Sequence, residues 1–93
     1  MSEGKLTYLG EKGVLTFDGE VVEGCGFNND FGERVHVALI TEIKVDEESI
    51  YFRFRGANNP LFAFFTKEEI ANPELMALID AVRSAAPNLK EDG

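Results

Sequence analysis

The stretch RVHVALITEIKVDEESIYFRFRGANNPLFAFF, residues 34–65, decides the fold of this 93-residue chain. At its centre, SIYFRFRG alternates strictly between apolar side chains and Tyr or Arg. One side carries Ile50, Phe52 and Phe54, and the other carries Tyr51, Arg53 and Arg55. Because successive side chains of a β-strand point to opposite faces of the sheet, this alternation predicts a strand with one buried face and one exposed face.

The segments on either side of this strand also have strand patterns. In RVHVALITEIKV the period of two holds at Val35 and Val37, breaks, and resumes at Ile43 and Val45. A strand, a tight bend and a second strand that share one buried face produce this pattern. After the turn GANNP, residues 56–60, the nearly apolar segment LFAFFT predicts a further strand that ends where a helix begins.

The first third of the chain is expected to form antiparallel strands. LTYLG predicts a short first strand, and GEKG, residues 10–13, predicts a turn. Two apolar runs then lie on either side of Asp18-Gly19, a dipeptide that tolerates the positive φ angles of a two-residue hairpin turn. The segment 24–33 is rich in Gly and Asn and is expected to be a loop.

After Phe65 the sequence pattern changes to that of a helix. Thr66 and Glu69 have the spacing of a capping box, in which each side chain accepts a backbone amide of the other residue. Asn72-Pro73 interrupts the run, because a residue before proline is pushed out of helical geometry. We therefore expect one helical turn and then a new helix with Asn72 as its cap. The apolar stripe of this helix comprises Leu75, Leu78, Ile79, Val82 and Ala86.

The sequence therefore predicts one mainly β (α+β) domain, residues 1–93, of six to seven antiparallel strands and one C-terminal amphipathic helix that covers the apolar interior. Residues 1–5 and 88–93 are expected to be flexible ends. A chain of this size buries only about 60–65% of its unfolded surface. Its eight Phe concentrate the apolar area in a few large side chains.

In this arrangement the chain resembles a known family. The succession TFDGEVV, RVHVALITEIKV, SIYFRFRG and LFAFFT, followed by a closing helix, is similar to bacterial pleckstrin-homology-like (PH-like) domains, including the GRAM-type versions. A motif of that family, apolar-x-apolar-x-x-Ile-x-x-apolar, joins two strands. Val35, Val37, Ile40 and Ile43 match it here. The resemblance covers residues 13–86.

The resemblance implies a small, partly open antiparallel β-barrel of two near-orthogonal sheets, capped at one end by the helix. It also implies binding or assembly rather than catalysis. Members that bind phosphoinositides use clustered Lys and Arg in the loop between the first two strands. The equivalent loop here is GEKG, with Lys12 alone, or the turn at Asp18-Gly19, so we do not expect phosphoinositide binding.

The chain is acidic, with 17 acidic and 9 basic side chains and a net charge of −8. Such a charge repels nucleic-acid phosphates and anionic headgroups, so no nucleic-acid partner is expected. No apolar run approaches the roughly 20 residues that span a bilayer, and MSEGKL lacks the regions of a signal peptide. The single cysteine, Cys25, excludes an internal disulfide and gives no evidence of export. We expect a soluble, cytoplasmic protein without stable membrane insertion.

The sequence predicts no catalytic residue, cofactor site or metal site. His36 is expected on the outer side of its strand, and no motif supplies a nucleophile or second titrating group for it. Cys25 lies between two glycines and is expected to be a small buried residue or an unreactive loop thiol. The segments 28–30 and 46–48 carry acidic and amide side chains without the spacing of a calcium loop, and both are expected to be turns.

One candidate recognition surface is the outward stripe of Tyr51, Arg53 and Arg55. Tyr and Arg are enriched at binding hot spots, and three such side chains on one strand could contact a partner. The alternative is a solvated face in which these side chains pair with acids such as Glu42 on a neighbouring strand.

A second candidate surface is the loop that carries Phe27 and Phe31. These rings either fold back onto the core or face a partner, and folding back is favoured because large aromatic side chains are rarely left exposed. Presented to solvent, the two rings would form a small aromatic contact surface.

Three functional hypotheses follow. The first is a non-catalytic module that binds a protein or peptide, or a second copy of itself as a homodimer, through an outer sheet face or an open edge. The alternative is an acidic inhibitor or adaptor that binds a basic surface, such as that of a nucleic-acid-binding protein. The third is a small-ligand or lipid binder that uses the mouth of the barrel.

Overall fold

The computed structural model describes residues 5–27, 33–56 and 60–89, which form two antiparallel sheets and two C-terminal helices. The four-stranded sheet contains β1 (Leu6–Leu9), β2 (Val14–Phe17), β3 (Val21–Cys25) and β4 (Glu33–His36). The three-stranded sheet contains β5 (Ile40–Val45), β6 (Ser49–Phe54) and β7 (Leu61–Phe64). The helices are α1 (Lys67–Ile70) and α2 (Pro73–Ala85).

Within each sheet, every strand pairs with its neighbour in the chain, so both sheets are meanders. Over residues 5–27, 33–56 and 60–89, no strand pairing joins one sheet to the other, and the strands do not close into a barrel. The predicted mainly β fold with seven strands and a C-terminal helix is confirmed at this level.

The hairpin between β2 and β3 is confirmed, with its tip displaced by one residue. The Asp18 amide donates to the Val21 carbonyl (3.3 Å), which places Gly19 and Glu20 rather than Asp18-Gly19 at the tip. Gly19 adopts a φ of 102°, which L side chains rarely adopt. The Asp18 carboxylate accepts the amides of Glu20 (2.9 Å) and Val21 (2.8 Å), and these bonds lower its pKa.

The predicted break in RVHVALITEIKV is a turn of 3-10 helix, Val37–Leu39, between β4 and β5. His36 caps it, because its Nδ1 accepts the Ala38 amide at 3.1 Å. The chain therefore passes from the four-stranded to the three-stranded sheet without a long connection.

The core lies on the inner faces of the two sheets. The predicted alternation holds in β6, where Ile50 and Phe52 are fully buried and Phe54, near the end of the strand, is half-buried. In β7, Leu61 and Ala63 are buried in the same way.

The helices begin where the sequence predicts. Thr66 and Glu69 form the capping box, and the Asn72 side chain accepts the Glu74 amide at 2.8 Å at the start of α2. Helix α2 packs on β1 and β2. Its buried stripe comprises Leu75, Leu78, Ile79 and Val82. In the described part of the chain, no helix has both the length and the apolar character to cross a membrane.

The buried stripe of α2 predicts a large stability effect for Ile79→Ala. Ile79 is 1% exposed, so its truncation leaves a cavity, and we expect the free energy of unfolding to fall by about 2–5 kcal/mol. Urea denaturation followed by circular dichroism measures this change. Asp80→Ala is the matched control, because Asp80 is exposed on the same helical turn and should change stability by less than about 0.5 kcal/mol. Equal midpoints for Ile79→Ala and the parent would show that the helix is not packed on the sheets.

Candidate functional site

The outer side of the three-stranded sheet carries a group of side chains that we call the aromatic–basic face: Lys44, Tyr51, Arg53, Phe62 and Phe64. Strand register places them side by side, because Lys44 is paired with Tyr51 and Tyr51 with Phe62. Alternation along each strand turns Lys44, Tyr51, Arg53 and Phe62 away from the core, whereas Phe64 is half-buried and also packs against the core. Sequence analysis identified Tyr51 and Arg53 as members of this surface but not the two phenylalanines.

The three aromatic rings of this face are in contact with one another. Tyr51 and Phe62 meet edge to face, with ring centroids 5.4 Å apart and an interplanar angle of 65°. Phe62 and Phe64 are stacked, with centroids 5.8 Å apart and an angle of 10°. Phe62 is 41% exposed and is the only phenylalanine among the described residues that is classed as exposed. The face therefore presents apolar aromatic surface to solvent.

Arg53 adds charge to these rings. Its guanidinium lies 5.5 Å from the centre of the Tyr51 ring, and its Nε lies 3.4 Å from the Glu42 carboxylate. The predicted pairing of Arg53 with Glu42 is therefore present. Both side chains are about half exposed, with 54% and 46% accessibility, so the pair contributes only about 0–1 kcal/mol to stability. Its removal should leave the fold intact.

Arg55 follows the end of β6 and is exposed. Its backbone amide donates to the Leu39 carbonyl at 2.9 Å, which fixes the chain where β6 ends. Within the described residues, no carboxylate lies within 4 Å of its guanidinium. The outward placement predicted for Tyr51, Arg53 and Arg55 is thus observed, and their role in binding a partner stays a prediction.

Phe27 folds back onto the core, as the sequence analysis favoured. It is 3% exposed and meets Phe65 edge to face at 5.2 Å. Gly13 makes this position possible: a Cβ there would lie 2.7 Å from the Phe27 ring and 2.5 Å from the Cys25 carbonyl. Phe27 is therefore not presented to a partner as a free ring, so the alternative of an exposed Phe27 is wrong. Phe31 lies outside the described residues.

An open groove of about 470 Å³ lies beside Phe64. The described residues that line it are Lys12, Gly26, Phe27 and Phe64. Its volume is within the range of about 300–1,000 Å³ that is typical of ligand clefts. Of the described residues that line the groove, Phe27 and Phe64 are aromatic and Lys12 is basic, so the groove is suited to an apolar side chain together with a carboxylate.

The turn that carries Lys12 is fixed by the Glu69 carboxylate at the start of α1. The Gly10 amide donates to the Gly13 carbonyl (2.9 Å) and closes the turn. Glu69 Oε2 accepts the Glu11 amide (3.0 Å) and lies 3.3 Å from the Tyr8 hydroxyl, which donates to it. One carboxylate therefore joins the helix cap to β1 and to the turn beside the groove.

The environment of Tyr8 raises the pKa of its hydroxyl. Burial is the largest cause, and the negative charge of Glu69 and the hydrogen bond to it act in the same direction. The neutral hydroxyl is therefore favoured in the folded protein.

The two side chains considered for acid–base or nucleophilic chemistry, His36 and Cys25, belong to the four-stranded sheet and not to the aromatic–basic face. His36 is exposed and its Nδ1 is used by the Ala38 amide. Of the two alternatives for Cys25, the buried residue is wrong, because Cys25 is exposed at the end of β3 and Gly24, the residue before it, is the buried one. The alternative of an unreactive thiol stays a prediction. Within residues 5–27, 33–56 and 60–89, no three His, Cys, Asp or Glu side chains are grouped to hold a metal ion. The predicted turn at 46–48 is present, and residues 28–30 lie outside the described part.

Sequence reasoning missed Lys12, Phe62 and Phe64 as parts of one surface. Alternation with Leu61 and Ala63 could have placed both phenylalanines outward, but a strand without polar residues does not mark its outer face. Lys12 is brought to Phe64 by contacts between distant segments, for which the sequence has no local signal. No protein-family model, curated protein or solved structure matches the chain.

The close approach at Gly13 predicts that Gly13→Ala destabilises the fold. The added methyl group would overlap the Cys25 carbonyl and the Phe27 ring, and such overpacking costs about 1–3 kcal/mol. Gly24→Ala is the matched control, since a Cβ there meets its nearest atoms at 3.4 Å, an ordinary contact distance. Thermal denaturation of both variants makes the comparison. A Gly13→Ala variant as stable as Gly24→Ala would contradict the position of Phe27.

The raised pKa of Tyr8 predicts a loss of stability at high pH. Because the unfolded hydroxyl ionises at a lower pH than the folded one, this contribution is complete below about pH 10 and is lost as the pH rises through the folded pKa. Urea denaturation across this interval should give a free energy of unfolding that falls more steeply for the parent than for Tyr8→Phe. Identical pH dependence of the two proteins would contradict a raised pKa of Tyr8 in the folded protein.

Proposed function

We propose that this chain is a non-catalytic module that binds a protein or peptide partner through the aromatic–basic face. The observation that carries the proposal is the contact of exposed Phe62 with Tyr51, and of Tyr51 with Arg53, on one outer surface. Aromatic and Arg side chains dominate binding energy at protein interfaces. Their rings are already held in place by each other, which reduces the entropy lost on binding.

The charge of the face supports an acidic partner segment. Lys44 and Arg53 lie on it and Arg55 lies just beyond it, whereas Glu42 is the carboxylate in register with Arg53. The chain as a whole carries −8. Local positive charge on an acidic protein attracts and orients an acidic segment, and suppresses binding of this segment elsewhere on the surface.

The proposal includes membership of the PH-like group. It is supported by the order of the elements: a four-stranded meander, a three-stranded meander and then a helix packed on the first sheet. The turn between β1 and β2 has the sequence GEKG, with a single cation rather than the clustered Lys and Arg of phosphoinositide sites, so it gives no support to phosphoinositide binding. A fold alone does not assign a function, so the face carries the argument.

The alternative of an acidic inhibitor or adaptor draws on a different surface, the exposed carboxylates of residues 46–48. A basic partner held there would lose affinity steeply as salt is raised, because exposed charges are screened over about 8 Å at physiological ionic strength. A partner held by the aromatic rings would lose less affinity as the salt concentration is raised. The two proposals therefore differ in salt dependence and in which variants weaken binding.

We expect the double variant Arg53→Ala/Arg55→Ala to fold normally and to bind selected peptides about tenfold less tightly than the parent. Peptides are selected on the parent from a random-sequence library, and fluorescence polarisation measures their affinities. Phe62→Ala should have a similar effect, because it removes the exposed ring.

The matched control is Lys67→Ala/Arg83→Ala, which removes the same charge from exposed positions outside the face. It should bind as the parent does. Equal loss of affinity in both double variants would refute a specific role for the face. An unfolded Arg53→Ala/Arg55→Ala protein would show that the arginines are structural. If peptide affinity falls only when the carboxylates of residues 46–48 are removed, the alternative of an acidic inhibitor is favoured.

A further inference from the structure

Strand β7 is an edge strand whose outer backbone groups can be identified from the hydrogen-bond pattern. The Phe65 amide donates to the Glu48 carbonyl at 2.9 Å, in continuation of the register between β6 and β7. In an antiparallel pair, hydrogen-bonded and non-hydrogen-bonded residue pairs alternate. The backbone groups of Leu61 and Ala63 therefore point to β6, and those of Phe62 and Phe64 point to the opposite side, the free edge of β7. Among the described residues, no hydrogen bond engages them.

The groove lies beside Phe64, the last residue of β7. Phe64 lines it together with Lys12 and Gly26, which belong to turns of the four-stranded sheet, while β6 occupies the other side of β7. The described residues thus leave open space beside Phe64, whereas β7 also packs against β3 of the other sheet. Lys12 is the basic residue among the described residues that line this space.

Two of the other sheet edges carry features that hinder strand addition. Strand β1, LTYL, has no charge and no proline either, and it contacts α2. Strand β5 has an irregularity between Ile40 and Glu42 and carries charged residues, and β4 has charged residues in its sequence ERVH. Strand β7, LFAF, has no charge and no proline. Edges protected by charge, proline or bulges resist pairing, so β4 and β5 are less suited to accept another strand, and β7 differs from β1 in that its Phe64 lines the groove.

We propose that the free edge of β7 accepts an extended segment of the partner as an added β-strand, with apolar side chains beside Phe62 and Phe64 and a carboxylate at Lys12. The inference rests on the proposed function and names the class of partner: an acidic peptide with alternating apolar residues. Main-chain bonds to Phe62 and Phe64 supply affinity, and the two rings and Lys12 supply selectivity. An added strand lies about 4.8 Å from β7, which places its outward side chains against these rings.

Charge favours a peptide over a second copy of this chain. A second copy would pair through its own β7, which has no carboxylate to meet Lys12. An acidic peptide brings the missing carboxylate. Charge-assisted hydrogen bonds of this kind are about twice as strong as neutral ones.

The test uses a synthetic peptide that alternates apolar and Ser residues and carries an Asp at each end. Two N-methylated forms of the peptide are compared. One lacks the amide hydrogens of the odd-numbered peptide residues, and the other lacks those of the even-numbered residues. An added strand bonds to β7 through the amides of alternate residues, and the amides of the remaining residues face solvent. The form that lacks the bonding amide hydrogens should therefore bind at least about tenfold more weakly than the unmethylated peptide, and the other form should bind as the unmethylated peptide does. Equal affinities of the two forms would overturn the inference.

Amide hydrogen exchange followed by NMR provides a direct readout. Peptide should slow exchange at Phe62 and Phe64, whereas Leu61 and Ala63 are already bonded to β6 in the free protein. Lys12→Gln should weaken the peptide severalfold and reduce its salt dependence, and Lys67→Gln should change neither. Absence of protection at Phe62 and Phe64 with bound peptide would also overturn the inference.

The failures of the two proposals are distinguishable. In one outcome, the affinity of library peptides depends on Arg53 and Arg55, but the two N-methylated forms bind equally and peptide does not slow amide exchange in β7. This outcome would contradict strand addition and would still support binding at the aromatic–basic face. If no library peptide binds, both fall. Protection of Phe62 and Phe64 in the protein alone, rising with concentration and accompanied by twice the 10.3 kDa mass, would show that a second copy occupies the edge and would overturn the peptide assignment.

Discussion

The arrangement of the two sheets depends on the contacts that the ring of Phe65 makes with aromatic side chains of the other sheet. This ring is fully buried where the three-stranded sheet ends, and it meets Tyr8 at 5.7 Å and Phe27 at 5.2 Å, both from the four-stranded sheet and its following loop. Among the described residues no strand pairing connects the sheets, so side-chain packing must hold them together. Aromatic side chains suit this task because each buries a large area and edge-to-face pairs add about 0.5–1.5 kcal/mol.

The same few residues that hold the sheets also shape the surface. Phe27 packs on Phe65 with one side and lines the groove with another, and the turn of Lys12 is held by the carboxylate that caps α1. Strand β7 combines both functions within four residues: Leu61 and Ala63 enter the core, Phe62 faces outward, and Phe64 is half-buried between core and groove. A binding surface can thus be placed on rigid strands without a long loop, which keeps its geometry fixed.

Local patterns predicted most of the fold. The alternation in SIYFRFRG, the spacing of Thr66 and Glu69, and the Asn72-Pro73 start of α2 each involve residues close in the chain, and each was correct. The hairpin tip was displaced by one residue because the Asp18 side chain accepts amides that a backbone carbonyl accepts in the simpler turn. Local chemistry can shift such a tip while the strands keep their faces.

Only part of the candidate site could be predicted from the sequence, because local patterns do not show contacts between distant segments. Tyr51 and Arg53 are marked as outward by their polarity, but Phe62 and Phe64 lie among apolar neighbours. The groove depends on Lys12 and Phe64, which are brought together by tertiary packing. No pattern within either segment encodes that contact.

The hydrogen bond from Tyr8 to Glu69 also has a consequence for the order in which the chain folds. It joins residues 61 positions apart, whereas all strand pairs join neighbouring segments. Loop-closure entropy grows by about 0.6 kcal/mol per doubling of length, so this closure costs about 2–3 kcal/mol more than forming a hairpin turn. The two meanders can therefore form from local contacts, and the entropic barrier concentrates in the step that brings β1 against the helices. We therefore expect late docking of one chain segment, rather than sheet formation, to limit the rate at which the native structure is completed.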